Sequence, residues 1–145
     1  MVKKLPLDDF LKTFKYALRI AFSLLIKNGK GEILMTKRAN PPEKDTWHLP
    51  GSFLMKGEMI EECLLRVARE ELGIKINTKN ARLLYINEDL HKDPRGHVID
   101  MIYTLNTKIS NLKPTNYSLE IKFFRRLPEN IGFNHKEVLG KLGFK

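Results

Sequence analysis

The stretch Leu49–Ile74, LPGSFLMKGEMIEECLLRVAREELGI, constrains this chain more than any other. Ile60, Leu64, Val67 and Ala68 fall at the spacing of one helix face. Gly73 follows where a helix ends in a left-handed residue, so the pattern predicts a helix over Glu58–Leu72. On it Glu58, Glu62, Arg66 and Glu70 recur every four residues, which puts them on one side. Glu71 follows directly. Two adjacent carboxylates at a helix C-terminus stand at the negative end of the helix dipole, a cost that a cation offsets. Arg66 can serve one carboxylate from a turn away. With a carbonyl, the pair also suits a hard divalent ion such as Mg²⁺ or Mn²⁺. The same residues read alternatively as a solvated, salt-bridged helix face.

The flanking sequence supplies strands and a second type of helix. Leu7, Phe10, Leu11 and Phe14, with Asp8 and Asp9 in the first turn, predict a short amphipathic helix over Leu7–Tyr16, an N-terminal extension spanning residues 1–16. Tyr16–Ile26 is β-rich. Asn28-Gly29 and Gly31 predict a hairpin returning over Glu32–Lys37. Pro41, Pro42 and Asp45 make Ala39–His48 a loop, and Leu49–Lys56 is short, apolar and bounded by turns. Further strands are expected at Ala81–Ile86, His97–Leu105 and Ile121–Arg125. A polar loop, Asn87–Gly96, separates the first two. Asn134 is positioned to cap a last helix over His135–Leu142. This irregular alternation speaks against regular βαβ winding. It predicts an α+β fold, an α/β/α sandwich with a mixed sheet between helices, as a single domain over residues 1–145.

Composition removes several classes of function. The one cysteine, Cys63, excludes an internal disulfide and disfavours a thiolate zinc site. The longest apolar stretch, Ala17–Ile26, is interrupted by Arg19 and Ser23 and falls short of the ~20 residues a membrane helix needs. No apolar run follows Lys3-Lys4 as it would in a signal peptide, so a cytoplasmic, soluble protein is expected. The net charge is +9, but the basic residues form nothing longer than the pairs Lys3-Lys4, Lys37-Arg38 and Arg125-Arg126. That scatter disfavours nucleic acid and leaves an anionic small molecule open.

Residues 52–74 resemble the Nudix box, written G-x5-E-x7-R-E-U-x-E-E-x-G-U with U aliphatic. Glu58, Arg66, Glu70, Glu71, Gly73 and Ile74 match, and Ala68 is a small stand-in for the aliphatic position. Two positions depart: Ser52 replaces the first glycine, and Val67 the first glutamate of the R-E pair. The resemblance implies a Nudix fold and a metal, Mg²⁺ or Mn²⁺, held by the Glu70 and Glu71 carboxylates and the Gly51 carbonyl. Positions 67, 70 and 71 stand at i, i+3 and i+4, so their side chains are expected to converge. Valine at one corner then implies fewer or weaker metal ions than a complete box holds. Serine at 52 puts in question the close backbone approach that glycine permits.

Flanking segments bear on substrate. Lys37-Arg38-Ala39-Asn40-Pro41-Pro42, Trp47 and Leu49-Pro50-Gly51 are similar to the approach to the box in Nudix enzymes acting on nucleotide sugars, GDP-mannose hydrolases included. Those GDP-mannose enzymes also lack the glutamate at the Val67 position and cleave by attack of water at the sugar carbon. Asp93-Pro94-Arg95-Gly96-His97-Val98-Ile99 is similar to the loop-to-strand segment of ADP-ribose pyrophosphatase-type members, and so is the tail Leu127-Pro128 with Phe133–Leu139. The likeness spans about residues 17–142.

These resemblances nominate individual residues, each with a plainer reading beside it. Glu70 and Glu71 would act with Arg66, which orients Glu70. With position 67 aliphatic, one of Glu88, Asp89, His91 and Asp93 in the Asn87–Gly96 loop would activate water, Glu88 first and Asp93 next; otherwise they belong to a hydrophilic turn. Arg38 would grip a diphosphate oxygen bidentately or serve as a surface arginine. Arg95 and His97 would contact phosphate or ribose, or only flank a turn made by Pro94 and Gly96. Trp47 and Phe53 would stack on a base or pack in the core. The expectation is Mg²⁺-dependent hydrolysis of a nucleoside diphosphate linked to another moiety, with ADP-ribose leading. Its rivals are a GDP-mannose-type glycosyl hydrolase, a catalytically weak nucleotide sensor and an RNA 5′-end processing enzyme. A homodimer is left open.

Overall fold

The computed structural model describes residues 2–145. The elements are α1 (Leu7–Tyr16), β1 (Arg19–Ile26), β2 (Ile33–Arg38), β3 (Trp47–His48), β4 (Gly51–Phe53), α2 (Ile60–Leu72), a 3₁₀ turn at Thr78–Asn80, β5 (Arg82–Asp89), β6 (Val98–Leu105), β7 (Ser118–Phe124) and α3 (His135–Lys141). Two sheets form, one ordered β4-β1-β6-β5 and the other β3-β2-β7. β1 and β6 run parallel from Arg19 opposite Val98 to Ile26 opposite Leu105, and the other pairs are antiparallel.

Period-two alternation along the strands divides the core between the helices. Phe22, Leu24 and Ile26 of β1 face a cluster with Cys63, Leu64, Val67 and Leu72 of α2. Leu25 faces the other way, toward Val138 and Leu139 of α3. β2 splits likewise, with Leu34 toward α2 and Ile33 and Met35 toward α3. The strands therefore lie between helices, as the α+β sandwich expected from the sequence requires.

Local departures have local causes. The Asn28 side chain accepts the Lys30 and Glu32 amides and turns the chain back as expected. The two strands share only the bridge from Lys27 to Ile33 before they part into different sheets. β1 is buried along most of its length and takes β6 as its neighbour instead of β2. α2 starts at Ile60, because Glu58 accepts the Met55 amide and closes a turn, while Glu62 accepts the Met59 amide. At its other end Gly73 takes φ 67° and donates to Arg69 O, so the expected left-handed cap is present. Asn87, Glu88 and Asp89 continue β5 and do not begin the loop. Among the described residues no helix is long and apolar enough to cross a membrane.

Candidate active site

α3 covers one face of the four-stranded sheet at Leu25 and Ile102, and farther along the sheet a cleft of about 460 Å³ opens. Strand geometry decides what reaches it. Phe53 stands opposite Ala21, Ala21 beside Asp100, and Asp100 opposite Asn87, one row crossing β4, β1, β6 and β5. All four line the cleft. Alternation adds Gly51, Ser23, Val98 and Asp89 from the same strands. A side chain on Gly51 would meet Ser23 Oγ at 2.6 Å and Phe22 O at 3.0 Å. Glycine at 51 therefore meets the close approach that serine at 52 called into question.

Ser52 has a different use: its hydroxyl accepts Arg66 Nη1 at 2.8 Å. Arg66 is buried and grips Glu58 with Nε at 2.7 Å and Nη2 at 2.9 Å, and it also donates to Phe53 O at 2.8 Å. Its contact with Glu70 is longer, 3.4 Å. Arg66 ties α2 to β4 and the turn before α2, and its hold on Glu70 is secondary.

The two adjacent glutamates part company. Glu71 is buried beside β2 and β7: Oε2 lies 3.2 Å from Ser118 Oγ, 3.5 Å from Thr36 Oγ1 and 3.9 Å from His48 Nε2. Burial pushes its carboxyl up to about 7, with the Glu70 charge adding to the rise against the hydroxyl donors and Arg38. Glu70 faces outward, and Lys4 Nζ sits 2.8 Å from Oε1 and 3.0 Å from Oε2. Lys4 also bonds the Tyr117 hydroxyl at 2.8 Å. Val67 is fully buried against β1 in the core. Val67 thus stands in the core, Glu70 meets Lys4 at the rim and Glu71 lines the cleft, so position 67 brings no ligand to the two glutamates.

Opposite Glu71 stands a cationic wall. The Arg38 guanidinium lies 4.9 Å and that of Arg95 5.5 Å from the centre of the Phe133 ring, and Arg95 lies 4.8 Å from that of Phe53. Burial, then the Arg95 charge, lower the Arg38 pKa from its ordinary value. Arg38 Nε donates to Pro42 O at 2.6 Å, and Arg95 pairs with Asp93 at 2.8 Å. Phe133 itself takes φ 55°, uncommon for a bulky residue, and its amide donates to Glu43. His48 is held neutral, its pKa well below the usual value, first by burial and then by the Arg38 charge.

The cleft thus gathers Gly51, Glu71, Arg38, Arg95, Phe53 and Asp93 of the residues expected from the sequence. Others lie elsewhere. Glu88 alternates with Asn87 and Asp89 along β5 and is exposed on the opposite face; Asp89 takes its place at the cleft. Trp47 packs edge-on against Phe124, ring centres 4.7 Å apart, in the α3-side core. His97 is outside the lining, with its Nε2 buried and unpartnered among the described residues. Asn134 bonds the Asn87 side chain and makes no cap. Sequence reasoning passed over Ser23, Asp100, His48 and Lys4 as site residues, and read His135 only as the first turn of the last helix, where it stands. Ser23 and Asp100 did carry a signal, being polar interruptions of the strand runs AFSLLI and VIDMIY.

Residues 17–139 match the model of the NUDIX domain. The chain belongs to the Nudix family. An ADP-ribose pyrophosphatase of Methanocaldococcus jannaschii is 33% identical over 142 residues, covering 94% of this chain and 81% of that protein. A bifunctional NMN adenylyltransferase/ADP ribose pyrophosphatase of Francisella tularensis, solved with AMP and a Mn ion, superposes with a TM-score of 0.74 at 19% identity, over 93% of this chain and 46% of that one. The NUDIX domain of Shewanella oneidensis NrtR, solved with ADP ribose, gives 0.69 at 18% identity, over 95% and 97%. This Nudix domain is a hydrolase by that membership and acts on diphosphate substrates. Nudix hydrolases generally use divalent metals. Among the described residues no three His, Cys, Asp or Glu side chains come together as a metal cage.

Proposed function

We propose that this Nudix domain hydrolyses ADP-ribose to AMP and ribose 5-phosphate with the help of a divalent ion, Mg²⁺ or Mn²⁺. The observation that carries the reading is the pairing of Arg38 and Arg95 at Phe133 with the buried Glu71 in one cleft. Two guanidinium groups match the non-bridging oxygens of a diphosphate. The relative at 33% identity supports the choice of substrate.

The donor chemistry fits a hard cation. Glu70 already attracts the Lys4 ammonium with both oxygens, and Glu71 is a carboxyl on the cleft wall whose pKa is raised first by burial. Glu70, Glu71 and the Gly51 carbonyl would hold the ion, which when bound neutralises the diphosphate and polarises phosphorus. Arg38 and Arg95 orient the diphosphate. The attacking water gives its proton to Asp93 or Asp89, its oxygen bonds to phosphorus, and the bond from phosphorus to the bridging oxygen breaks.

Product identification tests this. Protein incubated with Mg²⁺ and ADP-ribose should release AMP. Glu70→Gln and Glu71→Gln should each lower kcat by about 100-fold or more, the scale of losing transition-state charge stabilisation. Unchanged rates in both variants would overturn the reading. GDP released from GDP-mannose would instead favour attack at the sugar carbon, the alternative that Val67 supports.

A further inference from the structure

We propose that Asp100 reads hydrogen-bond donors on the uncharged, nucleoside end of the ligand, and so sets both specificity and the direction in which the ligand lies. The idea rests on the nucleotide reading given above. Ser23 Oγ donates to Asp100 Oδ2 at 2.9 Å. His135 Nδ1 accepts the Leu49 amide at 3.1 Å, so its proton sits on Nε2, 3.5 Å from the same Asp100 oxygen. The amides of Asn87 and Asn134 satisfy each other at 2.9 and 2.8 Å. Asp100 Oδ1 is left. It has no hydrogen-bond partner among the described residues, although Asp100 is only 5% exposed.

A buried charged oxygen without a donor is costly and uncommon, and a ligand donor removes the cost. A carboxylate oxygen only accepts. It repels phosphate and takes an N–H or O–H from a neutral group. The complementary anion site is the wall of Arg38 and Arg95. A nucleotide therefore lies with its phosphates on that wall and its base or sugar on the floor. Two donors on such a ligand have the right chemistry, a base amino group and the ribose hydroxyls.

Calorimetric titration of wild type and Asp100→Asn distinguishes them, with AMP, inosine monophosphate, 2′-deoxy-AMP, 3′-deoxy-AMP and inorganic pyrophosphate as probes. Asn keeps the size and an acceptor for Ser23. We expect the variant to bind AMP about 10- to 100-fold more weakly, the range for a hydrogen bond to a charged group. Pyrophosphate affinity should stay unchanged, and the melting temperature should be equal or higher, because Asn keeps the acceptor for Ser23 and the buried oxygen without a donor is gone. If the amino group is read, wild type prefers AMP to inosine monophosphate and the variant loses or reverses that preference. If a hydroxyl is read, AMP and inosine monophosphate weaken together, and one deoxy nucleotide binds wild type and variant alike. Equal AMP affinity in wild type and variant overturns the inference. So does a lower melting temperature with loss of every probe including pyrophosphate, which marks a structural role. Binding is read without turnover, so failure to hydrolyse ADP-ribose would overturn the proposed activity and leave this result standing.

Discussion

Glu71 couples the chemistry of the site to the stability of the fold. Its folded pKa, about 7, lies above the ordinary value of 4.5. The native state therefore binds more protons than the unfolded state between these values, and stability falls as pH rises through that window. In metal-free protein we expect a loss of roughly 2–3 kcal/mol between pH 4.5 and 7.5 from this group. Glu71→Gln should flatten the profile, and urea melts in chelator at several pH values check it. A profile equally steep in the variant would assign the slope to another group. Arg66 belongs to the same scale. Removing it strands Glu58 in a half-closed turn and frees Ser52 and Phe53 O, so Arg66→Ala should cost about 3–5 kcal/mol, measurable by chemical denaturation. Residue identities at 58, 66, 70 and 71 were legible from their spacing. What Arg66 grips was not, because Ser52 and the Phe53 carbonyl come from a strand whose approach the spacing does not encode.

At the level of elements, helix α2 shows why a motif read along a sequence overstates what a site contains. Helical spacing alone brings positions 67, 70 and 71 to neighbouring directions. Packing decides which of those directions is core, and β1 occupies the one at 67 with Phe22 and Leu24. Restoring the box with Val67→Glu should therefore unfold before it improves catalysis. We expect a loss of at least about 3 kcal/mol, from a carboxylate placed among apolar side chains. A stable variant with raised activity in a denaturant titration and rate assay would refute this. The same lesson governs β5. Its strand character was legible, but its reach was short by three residues, and that error put Glu88 in a loop with Asp93. Alternation along the longer strand turns Glu88 to solvent and Asp89 to the cleft. Asp89→Asn should accordingly lower kcat more than Glu88→Gln, which steady-state rates on ADP-ribose resolve.

For the whole molecule, the layered α+β order was legible because apolar strand runs such as AFSLLI alternate irregularly with helices that carry their own apolar stripe. The division into two sheets was not. The tight turn at Asn28 implied that β1 and β2 pair, whereas the parallel partnership of β1 with β6 joins residues nearly eighty positions apart. The cleft is a product of that long-range pairing, since its floor is one row across four strands. The beginning of the chain is drawn into it too. Lys4 rests on both oxygens of Glu70 and on the Tyr117 hydroxyl. Whatever cation takes Glu70 must first evict that lysine, so the first residues are held in place only while the carboxylate is otherwise unclaimed. Occupancy of the site is then written where a protease can read it. Trypsin should cut after Lys3 and Lys4 faster in Mg²⁺ than in chelator, and Glu70→Gln should erase the difference.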